Sequence, residues 1–131
     1  MTIVETSVWI DLLYGRLTAQ TEWVGRNISN VALTDLILTE SLQGIRQDAM
    51  YLATRKHLLE FEVFDTGGRD LAVASAQNYR ALRKKGMTIR STIDCLTATF
   101  CILQGHSLLH NDRDFHAFEK HLGLKVIHPS G

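Results

Sequence analysis

Residues 91–114 read STIDCLTATFCILQGHSLLHNDRD. A hydroxyl at Ser91 or Thr92 can cap a helix. Ile93, Leu96, Phe100 and Leu103 then recur at steps of three and four, and Gly105 closes the element. Cys95, Ala98, Cys101 and Ile102 make its other faces largely apolar as well, which predicts a central, buried helix. Leu108 and Leu109 follow as a short strand, and the chain leaves it through His110-Asn111-Asp112-Arg113-Asp114. A buried helix that hands the chain to a very short apolar strand is the unit of an α/β fold.

The same alternation runs outward in both directions. Met1 to Glu5 predicts a short strand, and Thr6 and Ser7 offer capping hydroxyls for a helix through Val8, Trp9, Ile10, Leu12 and Leu13 that stops at Gly15. Val31 to Leu33 predicts a second strand, with Thr34 as helix cap, Asp35 in the first turn, and Glu40 further along that helix. A helix from about Asp48 to Glu60 leads to a third strand at Val63 and Phe64 and a turn at Asp65-Thr66-Gly67-Gly68. Ala72, Ala76, Tyr79 and Leu82 share a helical stripe that runs into Arg83-Lys84-Lys85 and Gly86. A short helix through Phe115, Phe118 and Leu122 and a strand from Leu124 to Ile127 finish the chain. Short strands alternating with helices predict a parallel sheet covered on both faces, with ligands beyond the carboxyl ends of the strands.

Composition narrows the function classes. With 131 residues and 45% hydrophobic content, one domain over residues 1–131 is expected. Lys plus Arg equals Asp plus Glu at 14 each, which excludes a global basic field and makes any nucleic-acid contact local. Cys95 and Cys101 lack CxxC spacing and read as free, buried thiols of a reducing cytoplasm. No signal-like segment opens the sequence and no apolar run approaches the roughly 20 residues a membrane span needs, so a cytoplasmic protein without membrane contact is expected.

Glu5, Glu40, Asp94 and Asp112 each sit where an apolar segment ends or a helix begins. Singly, each has an ordinary reading: a surface strand end, a solvated helix charge, a reply to the helix dipole, a turn former. Jointly, carboxylates brought to about 4 Å of one another repel by roughly 4 kcal/mol per pair at an effective dielectric of 20. A hard divalent cation such as Mg²⁺ or Mn²⁺ makes that arrangement tolerable.

Four segments, Ile3–Asp11 (IVETSVWID), Leu38–Gly44 (LTESLQG), Arg90–Ala98 (RSTIDCLTA) and Leu108–Phe115 (LLHNDRDF), together resemble a PIN-domain protein of the VapC-type toxin ribonuclease kind, in order and spacing. The resemblance implies a three-layer α/β sandwich with a central, mainly parallel, short-stranded sheet flanked by helices. It implies Mg²⁺- or Mn²⁺-dependent endonucleolytic hydrolysis of RNA, possible tRNA substrates included, with water as nucleophile. It assigns Glu5, Glu40, Asp94 and Asp112 to catalysis and metal holding, with Thr6, Ser7 and Asp114 in support. It also implies a cognate antitoxin seated on a hydrophobic groove of the first-half helices, and a homodimer.

One position departs from the resemblance. The family's first acid is ordinarily aspartate, and Glu5 is one methylene longer, which carries its oxygens roughly 1.5 Å further. Misplacement on that scale can cost on the order of 10²-fold in rate. The expectation is therefore a metal-binding chain that cuts RNA weakly, and the rival is a non-catalytic module that acts through its antitoxin alone.

Arg80, Arg83 and Arg90 are the candidates for RNA phosphate contacts, with solvated helix-end cations as the ordinary alternative for this basic stretch. The six histidines show no HxxxH or HExxH pattern, so no zinc site is expected, although His110 and His116 flank the Asp112 loop. Trp9, Trp23 and Tyr14 read as core or interface rather than base-stacking platforms.

Overall fold

The computed structural model describes residues 1–130. In chain order the elements are β1 (Thr2–Val4), α1 (Thr6–Leu13), α2 (Ala19–Arg26), β2 (Val31–Thr34), α3 (Asp35–Gln43), α4 (Asp48–Leu58), β3 (Glu62–Phe64), α5 (Gly68–Lys84), α6 (Thr92–Gln104), β4 (Ser107–Leu109), α7 (His116–Leu122) and β5 (Lys125–Val126). Single 3₁₀ turns occupy Ile28–Asn30 and Arg113–Phe115.

All strands join one parallel sheet in the order β3-β2-β1-β4-β5, flanked by the helices in a three-layer α/β arrangement. Ile3 pairs with Ala32 on one side and with Leu108 on the other, so β1 lies at the centre. From β1 the chain first winds outward through β2 and β3, then returns to the far side of β1 as β4. The carboxyl ends of β1 and β4 thus form the crevice where strand order reverses, the preferred ligand position in open parallel sheets.

Strands this short survive because they are buried on both faces. Ile3, Val4, Ala32, Leu33, Leu108 and Leu109 are fully enclosed, consistent with continuous apolar runs rather than alternation. Trp9 belongs to this core, and its indole N–H donates to the Val4 carbonyl at 2.8 Å, fastening α1 to the end of β1. Trp23 is only partly buried, and Tyr14 is exposed.

Two features depart from the sequence reading. Helix α2 was not anticipated; it starts in a capping box in which Thr18 Oγ1 accepts from the Thr21 N–H at 3.0 Å and Thr21 Oγ1 accepts from the Thr18 N–H at 2.9 Å. Thr replaces the Glu or Gln usual at the third helical position, which hid the signal. The cap of α1 is Glu5 itself rather than Thr6 or Ser7, because its longer side chain folds back to accept the Ser7 N–H at 3.0 Å.

Leu108 lies in the central layer with no solvent exposure. Leu108→Ala is expected to lower unfolding free energy by about 2–5 kcal/mol, read as a lower urea midpoint with an unchanged denaturant slope.

Candidate metal centre

Each acid reaches the crevice by a different structural route. Glu5 leaves β1, and its backbone N–H donates to the Leu109 carbonyl at 2.9 Å, which keeps it beside the end of β4. Glu40 lies on α3, which starts when Thr34 Oγ1 accepts the Ile37 N–H at 3.2 Å. Asp94 occupies the first turn of α6, whose cap Ser91 accepts the Asp94 N–H at 3.2 Å. Asp112 caps the 3₁₀ turn after β4 by accepting the Asp114 N–H at 3.0 Å.

Hydroxyl groups orient the first two. Ser7 Oγ donates to Glu5 Oε2 at 2.5 Å and accepts the Asn111 N–H at 3.0 Å, so one side chain joins the exits of β1 and β4. Thr6 Oγ1 donates to Glu40 Oε1 at 2.8 Å and ties α1 to α3.

The acids share one hollow, and their ionisation registers it. Burial raises the Glu5 carboxyl to about 7, against the lowering effect of its Ser7 hydrogen bonds, and the charges of Asp94 and Glu40 add to the rise. Burial likewise raises Asp94 to about 6, helped by Asp112, Glu40 and Asp114. Glu5 and Asp94 are only 5% and 8% exposed, so water relieves little of this repulsion. Asp94 interacts by charge with each of the other acids, Glu5, Glu40, Asp112 and Asp114, which makes it the electrostatic centre of the cluster.

Among the described residues, one group of three acids has the spacing to hold a metal ion. Asp94, Asp112 and Asp114 bring one carboxylate oxygen each within 4.8 Å of one another. Asp114, expected only in support, is therefore inside this group, whereas Glu5 and Glu40 are not members of it and act on Asp94 and on each other through their charge. Glu5 Oε2 is engaged by Ser7 and Glu40 Oε1 by Thr6. An all-oxygen, surplus-negative donor set of this kind suits Mg²⁺ or Mn²⁺ chemically.

Of the basic candidates, Arg90 alone pairs with the cluster. Its Nη2 donates to both Asp114 oxygens, at 3.0 and 3.2 Å, with most of its side chain exposed. Arg83 lies over the Tyr79 ring at 5.7 Å and Arg80 borders a cavity between α5 and α6, neither forming an ion pair with the acids among the described residues. His110 also belongs to the site's surroundings: its Nδ1 accepts the Asp112 N–H at 3.1 Å, and burial lowers its ring to about 4. No periodicity in the sequence announced that contact.

Comparison with known proteins agrees with this architecture. The chain is 27% identical to VapC ribonuclease Mb1587 of Mycobacterium bovis, an alignment covering 96% of the chain and 97% of that protein. Its fold is similar to a chain in the crystal structure of FitAcB from Neisseria gonorrhoeae, with a TM-score of 0.78, 15% identity and 98% of each chain covered. It is similar also to a chain in the crystal structure of VapBC2 from Rickettsia felis bound to a promoter DNA fragment, with a TM-score of 0.77, 15% identity and 96% of each chain covered. The PIN domain family model matches residues 2–121, nearly the whole length, and the chain belongs to the PIN-domain family.

Proposed function

We propose that this chain is a divalent-metal-dependent endoribonuclease and the toxin of a toxin–antitoxin pair. The observation that carries the reading is the convergence of Glu5, Glu40, Asp94, Asp112 and Asp114 at the switch point of the sheet. The ribonuclease name of the Mycobacterium relative, aligned over nearly its full length, supports it.

In this reading Asp94, Asp112 and Asp114 hold the Mg²⁺ or Mn²⁺ ion, and Glu5 and Glu40 complete the negative hollow. When bound, the ion supplies charge that offsets the acids, polarises a phosphoryl oxygen and lowers the pKa of water. Ser7 and Thr6 keep the Glu5 and Glu40 carboxylates in fixed directions at the moment an RNA phosphodiester is presented. Arg90 stands at the exposed rim and can exchange Asp114 for an RNA phosphate, a pairing for which guanidinium geometry is suited. Arg80 and Arg83 extend the basic face along α5 toward a longer RNA, such as tRNA.

An antitoxin is the proposed protein partner. A cavity of about 370 Å³ bounded by Trp9, Leu12, Val24, Ile28, His57 and Phe61 offers an apolar seat on the first-half helices. A homodimer and a cytoplasmic setting complete the proposal; no helix among the described residues is long and apolar enough to cross a membrane.

The rival, a non-catalytic module working only through its partner, draws on one observation. Glu5 is doubly engaged by Ser7 and holds its proton up to about neutral pH. Glu5→Asp separates the readings. The shorter acid is expected to raise the rate of RNA cleavage in Mn²⁺ by on the order of 10²-fold, and an Asp form no faster than the parent removes the attenuation idea. Asp94→Asn is expected to abolish cleavage while leaving the circular dichroism spectrum unchanged.

Glu5 also predicts a pH signature in the absence of metal. Its folded-state value, about 7, lies above the ordinary 4.5, so the folded protein binds this proton more tightly than the unfolded chain does. That contribution is fully present below pH 4.5 and is lost as pH rises through 7. His110, whose value is lowered, loses stability in the opposite direction as pH falls, and a comparison of variants cancels it. Relative to the parent with metal chelated, Glu5→Gln is expected to gain on the order of 3 kcal/mol between the two ends of that window, measured by urea unfolding, and saturating Mn²⁺ is expected to erase the advantage above pH 7.

A further inference from the structure

His110 stands at the exit of β4, is 7% exposed, and packs its ring 4.9 Å from Phe115 and 5.9 Å from His116, centroid to centroid. Its Nδ1 accepts the backbone N–H of Asp112 at 3.1 Å, so Nδ1 is unprotonated and the ring proton is on Nε2. That Nε2–H is buried and has no hydrogen-bond partner. An unpaired buried donor opposes folding. Beside Phe115 and Phe118, an apolar side chain would fill the same space without that penalty.

What the imidazole supplies is an acceptor at one point of an otherwise irregular loop. Three backbone donors of the loop are spoken for: Asn111 N–H by Ser7 Oγ, Asp112 N–H by His110 Nδ1, and Asp114 N–H by Asp112 Oδ1. The first bond anchors the loop to β1. The second sets the direction in which the Asp112 backbone turns, and the third locks the Asp112 carboxylate against Asp114. Removing the middle bond takes away the side-chain restraint on the Asp112 backbone, from which the two carboxylates grouped with Asp94 take their placement. Because Nε2 is buried, His110 acts through Asp112 and does not itself reach substrate.

We infer that His110 is a positioning residue, which accepts the Asp112 N–H so that Asp112 and Asp114 are held in the geometry that captures a divalent cation. The inference rests on the metal-site reading given above.

Three variants at this position separate the acceptor from mere packing. Asn places an amide oxygen near the position of Nδ1, Gln places it near that of Nε2, and Met offers no comparable acceptor. Mn²⁺ affinity is measured by calorimetry and the melting temperature is measured without metal. His110→Met and His110→Gln are expected to bind Mn²⁺ roughly 10- to 100-fold more weakly, the usual loss when a partner of a metal ligand is removed, whereas His110→Asn stays within about threefold. His110→Met is expected to melt at the same or a higher temperature, since it removes the orphaned donor, a combination that a purely structural role would not produce. Parental affinity in all three variants overturns the inference, as does a folded His110→Asn that binds as weakly as His110→Met. If the parent chain itself binds no Mn²⁺, the metal-site reading falls, and the imidazole ¹⁵N spectrum then decides on its own. An Nε2–H tautomer with a protected Asp112 amide upholds the positioning contact, and an Nδ1–H tautomer overturns it.

Discussion

The Glu5 N–H to Leu109 carbonyl bond, 2.9 Å long, holds the exits of β1 and β4 side by side, and the rest of the site depends on it. It continues the parallel register of Val4 with Leu109 one step past the strand. With those ends adjacent, Ser7 can reach the loop after β4, and the hydroxyl that orients Glu5 is the same one that receives the Asn111 N–H. The crevice is therefore a property of the sheet's winding, and the side chains inherit it.

Placing acids in that crevice works against folding. Glu5 and Asp94 are largely buried and surrounded by like charge, and both hold their protons far above the ordinary carboxylate range. His110 adds an unpaired ring donor nearby. The apolar layer offsets this strain: Trp9, Phe115, Phe118, Leu33, Leu108 and Leu109 are almost wholly enclosed immediately beneath the site. Local departures from good folding practice gathered at one point of an otherwise consistent structure make that point the candidate for binding or chemistry.

Much of this was legible in the residues. The alternation of three- and four-residue spacings with short apolar runs read correctly as helices and strands because burial imposes those periods directly. Gly105, at φ 72, ends α6 in a conformation that suits glycine, and it was visible as a stop. The capping box of α2 was not visible, since Thr21 substitutes for the longer polar residue that normally signals it. Nor was the role of Glu5 as the cap of α1, because glutamate rarely serves there and only the bent-back side chain makes it possible.

By itself the sequence determined the parallel α/β class and the alternation of strands with every helix but α2, since hydrophobic period and helix-start chemistry are local properties of the chain. Only the tertiary structure decided which acids stand closest. Asp114 joins Asp94 and Asp112 through the 3₁₀ turn after β4, while Ser7 and Thr6 fix the Glu5 and Glu40 carboxylates by hydrogen bonds of their own. Distances between residues tens of positions apart depend on how strands register and which hydroxyl reaches which carboxylate, and no spacing along the chain encodes that.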